Sequence, residues 1–179
     1  MSRREEKTPD SIMNKVDNTA LVVKEISDKL VKEYCEDLDR QLEIIRDKLQ
    51  DGLLTDGELE YSILELANIL YFTGSAQEDL GIKEDTCKAI RQELYNKTRD
   101  DAKGTVADKN ARAELATQQE TIVLNIYSRA YRKVKLRMDA GYEMLNSLKK
   151  VMNKRISEME LSNSRFINTQ PERRSRRDG

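Results

Sequence analysis

Apolar residues in the first fifty positions recur every three, four or seven places. Val16, Val23, Ile26, Leu30, Tyr34, Leu38, Leu42, Ile45 and Leu49 fall on one face of a helix. The spacing predicts a first long helix starting near Ser11 or Thr19, after a polar and disordered stretch over residues 1–10. Asp51-Gly52 supplies its stop, because glycine tolerates the left-handed conformation that closes a helix. Thr55-Asp56 caps a second helix, with Glu58 and Glu60 near its positive end and Leu59, Ile63, Leu66, Ile69 and Leu70 facing inward. That helix is expected to end near Phe72-Thr73-Gly74, with a connector from Ser75 to Gly81. A third helix follows over about 82–102, with Cys87, Ile90, Leu94 and Thr98 inward.

Gly104-Thr105 breaks the chain, and Thr105 or Asp108 caps what comes next. From there to Leu161 nothing stops a helix, and Gly141 costs it only about 1 kcal/mol relative to alanine. Leu115, Ile122, Ile126, Ala130, Val134, Met138, Tyr142, Leu145, Leu148, Met152, Ile156 and Met159 form one stripe along it. A helix of this length reaches roughly 80 Å. Three shorter helices cannot cover such a stripe, so it is expected to pack on copies of itself, with Ile122, Ile126, Met138, Leu145, Leu148 and Met152 in the seam. The repeated steps of four make that seam straight or slightly right-handed. The fold expected is all-α: three shorter helices plus one very long C-terminal helix in a self-associating helical bundle or coiled coil. Its parts are an acidic helical region over 1–104, a basic assembly helix over 105–161 and a flexible basic tail over 162–179.

Composition narrows the chemistry. Of 179 residues 36% are charged, yet the net charge is −1 and histidine is absent. Without imidazole there is no Ser–His–Asp triad and no histidine-bound metal. Cys35 and Cys87 lie far apart and make no zinc pair. No Gly-rich phosphate loop is present, and paired carboxylates such as Glu36/Asp37 or Asp100/Asp101 read as solvated faces or caps. No enzyme, cofactor or metal is expected. The longest apolar runs are four residues, as in Ala20–Val23, and the polar start is no signal peptide, which predicts a cytoplasmic protein with no membrane span.

The near-zero net charge hides an asymmetry. Residues 1–127 hold 18 basic and 27 acidic side chains, a balance of −9, whereas 128–179 hold 14 and 6, a balance of +8. Arg129, Arg132, Lys133, Lys135 and Arg137 are interleaved with Tyr127, Tyr131 and Tyr142, and Tyr95 precedes Lys97-Thr98-Arg99. Cations that follow a phosphate backbone beside rings that stack on bases suit single-stranded nucleic acid. The same tyrosines also suit the border of a helix core. Lys97, Arg99 and Lys103 are a second candidate cluster, although cations at a helix C-terminus are favoured by the helix dipole in any case.

Three features together resemble phage recombination mediators of the UvsY type. They are Leu94-Tyr95-Asn96-Lys97-Thr98-Arg99 at the end of a central helix, the break at Lys103-Gly104-Thr105, and a long helix running through Leu145-Asn146-Ser147-Leu148-Lys149-Lys150 to Arg155-Ile156. The resemblance covers residues 85–161. It implies a homo-oligomer that binds single-stranded DNA and helps load a RecA-like recombinase in place of a single-strand-binding protein. Two other readings stay open from the residues themselves. In one, the protein is a coiled-coil interaction or scaffold protein whose acidic and basic halves pair within or between subunits. In the other, a phage protein inhibits a host enzyme by offering an acidic helix as a decoy.

Overall fold

In a computed structural model of the protein, which describes residues 9–50, 52 and 54–168, four α-helices and no strands are present. They are α1 (Pro9–Gln50), α2 (Asp56–Asp101), α3 (Val106–Ala116) and α4 (Gln118–Asn168). None is long and apolar enough to cross a membrane. The turns fall where the residues dictate. Gly52 sits at φ 66 beyond the end of α1. The Thr55 hydroxyl accepts from the Glu58 N–H while the Glu58 carboxylate accepts from the Thr55 N–H, a reciprocal cap that satisfies two free donors. Thr105 and Asp108 repeat the device ahead of α3, and Gly104 precedes them at φ 123.

The long helices lie side by side. Arg155 meets Asp56 at one end of α4, and Arg91 meets Thr121 towards the other, so α2 and α4 are antiparallel. Lys133 bonds Asp28 and Arg137 pairs with Asp39, so α1 and α4 run parallel. Val31, Cys35, Leu38, Ile45, Leu59, Leu66, Leu70, Leu80, Ala130, Val134, Met138, Leu145 and Leu148 form a single buried cluster drawn from all three. Burial pushes the Cys35 thiol up, against the pull of the Arg137 guanidinium, which leaves it an inert core residue.

Two expectations are corrected. The stop near Phe72–Gly74 and the connector over Ser75–Gly81 are absent, because α2 runs unbroken through them for 46 residues. Gly74 and Gly81 lie instead against α4. A Cβ at Gly74 would stand 3.5 Å from Met138, and one at Gly81 would stand 3.5 Å from Tyr131. At those distances an added Cβ would make only ordinary van der Waals contact, so glycine is not required there; the helix runs through because Leu70, Thr73 and Leu80 around them are buried. The second correction concerns the helix expected from 105 to 161, which is split at Thr117. There the buried hydroxyl donates to the Ala113 carbonyl 3.1 Å away and the backbone leaves helical geometry at φ −99, ψ 14. Beyond the split, α4 continues to Asn168, through the first part of the expected tail; residues 169–179 lie outside the described residues, as do 1–8.

The unbroken α2 also changes what lies against the α4 stripe. With 42 residues in α1 and 46 in α2, the chain supplies enough length to cover much of the α4 stripe itself. Ile126, Met138, Leu145 and Leu148 are buried, and Ile122 and Met152 half-buried, within one chain. Four of the six residues expected in a seam between copies thus lie in the core of one chain. Leu115, Tyr142, Ile156 and Met159 of the same stripe remain exposed.

Candidate nucleic-acid interface

α4 carries its cations on two sides. Lys133 and Arg137 point towards α1, where Lys133 bonds the Asp28 carboxylate and Arg137 Nε lies 3.1 Å from Asp39 Oδ1. The Lys133 ammonium holds the Asp28 carboxyl below its usual range. Further along, Arg155 Nη1 donates to Asp56 Oδ1 at 2.7 Å and to the Leu54 carbonyl at 2.9 Å. Acidic α1 and the acidic start of α2 thus occupy three of the cations on basic α4.

On the outer side, Arg129, Arg132 and Lys135 are exposed. Arg132 donates to Ser128 Oγ at 3.0 Å. The row continues along the outer side through Leu136 to Asp139 and Glu143 before Lys150 and Lys154 appear, so two carboxylates interrupt the basic track. The tyrosines do not join it. Tyr127 and Tyr131 pack against the buried cluster, Tyr131 over Gly81, and only Tyr142 is exposed.

Lys97 and Arg99 are both exposed near the end of α2. Two residues apart on a continuous helix, they project to opposite sides. Arg99 contacts Asp100 at 3.4 Å, and Lys103 stands in the connector next to Gly104. Because Gly81 lies opposite Tyr131, Lys97 is sixteen residues along α2 from the level of the α4 cations, about 25 Å away. The structure therefore brings Arg129, Arg132 and Lys135 to one face, turns Lys133 and Arg137 inward, and keeps Lys97, Arg99 and Lys103 apart from both groups.

Two features escaped the sequence pattern. The carboxylates that take up the α4 cations, Asp28, Asp39 and Asp56, carried no signal beyond the opposite charge of the two halves. A groove of about 500 Å³ opens between α1 and α2. Glu33, Asp37 and Glu65 line it with Tyr34, Phe72 and Arg40, and Arg40 is already engaged by Glu36 and Asp37. Its charge repels phosphate.

No protein-family model matches the chain, and neither a curated protein nor a solved structure matches it.

Proposed function

We propose that the chain is a non-catalytic helical interaction protein whose acidic and basic segments pair within the chain to stiffen it as a scaffold. One observation carries this reading: Lys133, Arg137 and Arg155 of α4 are each engaged by a carboxylate from α1 or α2. Cations held in this way are poor counterions for a phosphate backbone. The charge asymmetry then serves register, setting α4 against its neighbours, because opposite charges paired at fixed levels disfavour a slipped alignment.

A second reading is a single-stranded DNA-binding accessory protein that helps load a RecA-like recombinase. What favours it is that Arg129 and Lys135 are exposed on one outer face with no carboxylate partner among the described residues, with Arg132 between them. Lys97, Arg99 and Lys103 would extend that site only on a strand long enough to span both clusters.

Titration of a labelled oligothymidine strand at low and at physiological salt separates the two. The interaction reading expects no binding even at low salt. It is overturned by binding that weakens with salt at a log–log slope of about −0.7 per phosphate neutralised and is lost on Arg129→Ala, Arg132→Ala and Lys135→Ala together.

A further inference from the structure

Between Tyr61 and Gln77 the only charged residue is Glu65, in a chain that is 36% charged overall. The core explains one side of this segment, where Ser62, Leu66, Leu70 and Thr73 are buried. It does not explain the other. Tyr61 is 64% exposed, Leu64 63% and Tyr71 75%, with Phe72 at 63% on the border. The Tyr71 and Phe72 rings meet edge to face, 5.4 Å between centroids. With Asn68 and Ser75, this side reads 61, 64, 68, 71, 75. Alternating steps of three and four keep these residues on one side of the helix, and what sets that side apart is that none of them is charged.

We infer that this row of α2 is a self-pairing surface, occupied by α2 of a second copy lying antiparallel across a two-fold axis at Asn68. The inference rests on the interaction-protein reading and names the partner. An uncharged row offers nothing to a partner that relies on opposite charge; it fits another uncharged helix face. The outer sides of α4 and α1 also expose apolar residues, Val123 and Leu136 on one and Val22, Ile26 and Ile44 on the other, but charges stand among them: Arg129, Arg132, Asp139 and Glu143 on α4, and Lys29, Glu36, Asp37 and Glu43 on α1. The matching surface is the same row on another copy, and identical patches meet about a two-fold axis. In that register Asn68 faces its own equivalent, Leu64 faces Phe72, Tyr61 faces Ser75, and Tyr71 faces Glu65 at the edge of the row.

Area sets the strength. Three aromatics and a leucine, each about two-thirds exposed, offer roughly 500 Å² per copy. The total of about 1,000 Å² is the lower bound for a specific interface, which places the pair among weak, concentration-dependent dimers. No Lys or Arg lies between Lys48 and Lys83, and the antiparallel register brings Glu60 of one copy near the Glu78–Asp79 end of the other. Salt screens that repulsion and strengthens the dimer, opposite in sign to strand binding.

Sedimentation equilibrium on the full chain tests this. The mass should climb from 20.7 kDa towards twice that value as concentration rises, and at lower concentration in high salt. Leu64→Glu with Tyr71→Glu, both on the exposed side, should keep helix content and melting temperature while raising the dissociation constant roughly tenfold or more. In a Cys87→Ser background, Asn68→Cys should oxidise to a covalent dimer and Tyr61→Cys should not. A mass of 20.7 kDa at every concentration, or a double variant that dimerises as well as the parent, overturns the inference. Cross-linking through Tyr61→Cys in place of Asn68→Cys overturns the antiparallel register. A monomer that also binds no strand leaves the interaction reading standing; strand binding removes that reading whatever the mass.

Discussion

Gly141 of α4 lies so close to Leu70 of α2 that a Cβ added there would stand 2.8 Å from Leu70 Cδ2, with Leu38 Cδ1 at 3.2 Å on the other side. The three long helices converge at this point. In an isolated helix Gly141→Ala would gain about 1 kcal/mol. Here the overlap outweighs that gain, because two packed leucines would have to move. Gly141→Ala is expected to destabilise the protein by about 1–3 kcal/mol, read by urea unfolding. In a Leu70→Ala background the same substitution should become neutral or stabilising, and a stabilised single variant would show that the helices are further apart.

Leu148 distinguishes a core residue from a seam between copies. It is 1% exposed within a single chain. Leu148→Ala should cost about 2–5 kcal/mol of unfolding free energy. Leu148→Lys, which strands a charge in the core, should abolish cooperative melting. If Leu148→Lys instead yields a well-folded protein of lower mass, Leu148 belongs to an intersubunit seam.

Arg155 ties the far part of α4 to the turn before α2 through Asp56 and the Leu54 carbonyl. Arg155→Ala should lower stability by about 1 kcal/mol, since a charge-assisted bond to the backbone is lost along with a half-exposed ion pair. Arg155→Lys should recover only part of it, because one ammonium does not reproduce the planar fork. Thermal melts of the two variants check the order.

Acid should weaken the fold in a defined window. The Glu58 carboxylate accepts from the Thr55 N–H and is bonded by Lys48 Nζ at 3.0 Å, which brings it from 4.5 down to about 2. Its folded value is below its unfolded value, so its contribution is complete above pH 4.5 and is lost as pH falls towards about 2. Asp28 and Asp108, lowered by Lys133 and Thr105, act in the same direction. Melting temperature should therefore drop below pH 4.5, and Glu58→Gln should melt lower at neutral pH but with a flatter acid limb. An identical acid limb in the two proteins would remove the cap from the account.

Helix identity and three of the chain's punctuation marks were written locally. Periodic apolar residues set the helical face, and Gly52, Thr55 and Thr105 mark boundaries through backbone conformation and a single hydrogen-bonded box, neither of which needs a distant partner. The opposite charge of the two halves was equally plain, but not which cation meets which carboxylate. Tertiary structure decided the rest. Gly74 and Gly81 look like breaks until Leu70, Thr73 and Leu80 are buried around them, since packing carries a helix through a glycine that would weaken it in isolation; the close approach falls at Gly141 instead. Thr117 looks like an ordinary helical residue, and its backward bond to Ala113 does not mark it, since Thr73 and Thr86 make the same bond inside unbroken α2. Whether the α4 stripe meets a copy or its own chain depended on how much length α1 and α2 supplied, and that length hung on whether the helix continued through Gly74. Lys133 and Arg137 turned inward for the same reason: once α1 lay parallel to α4, Asp28 and Asp39 fell at their level.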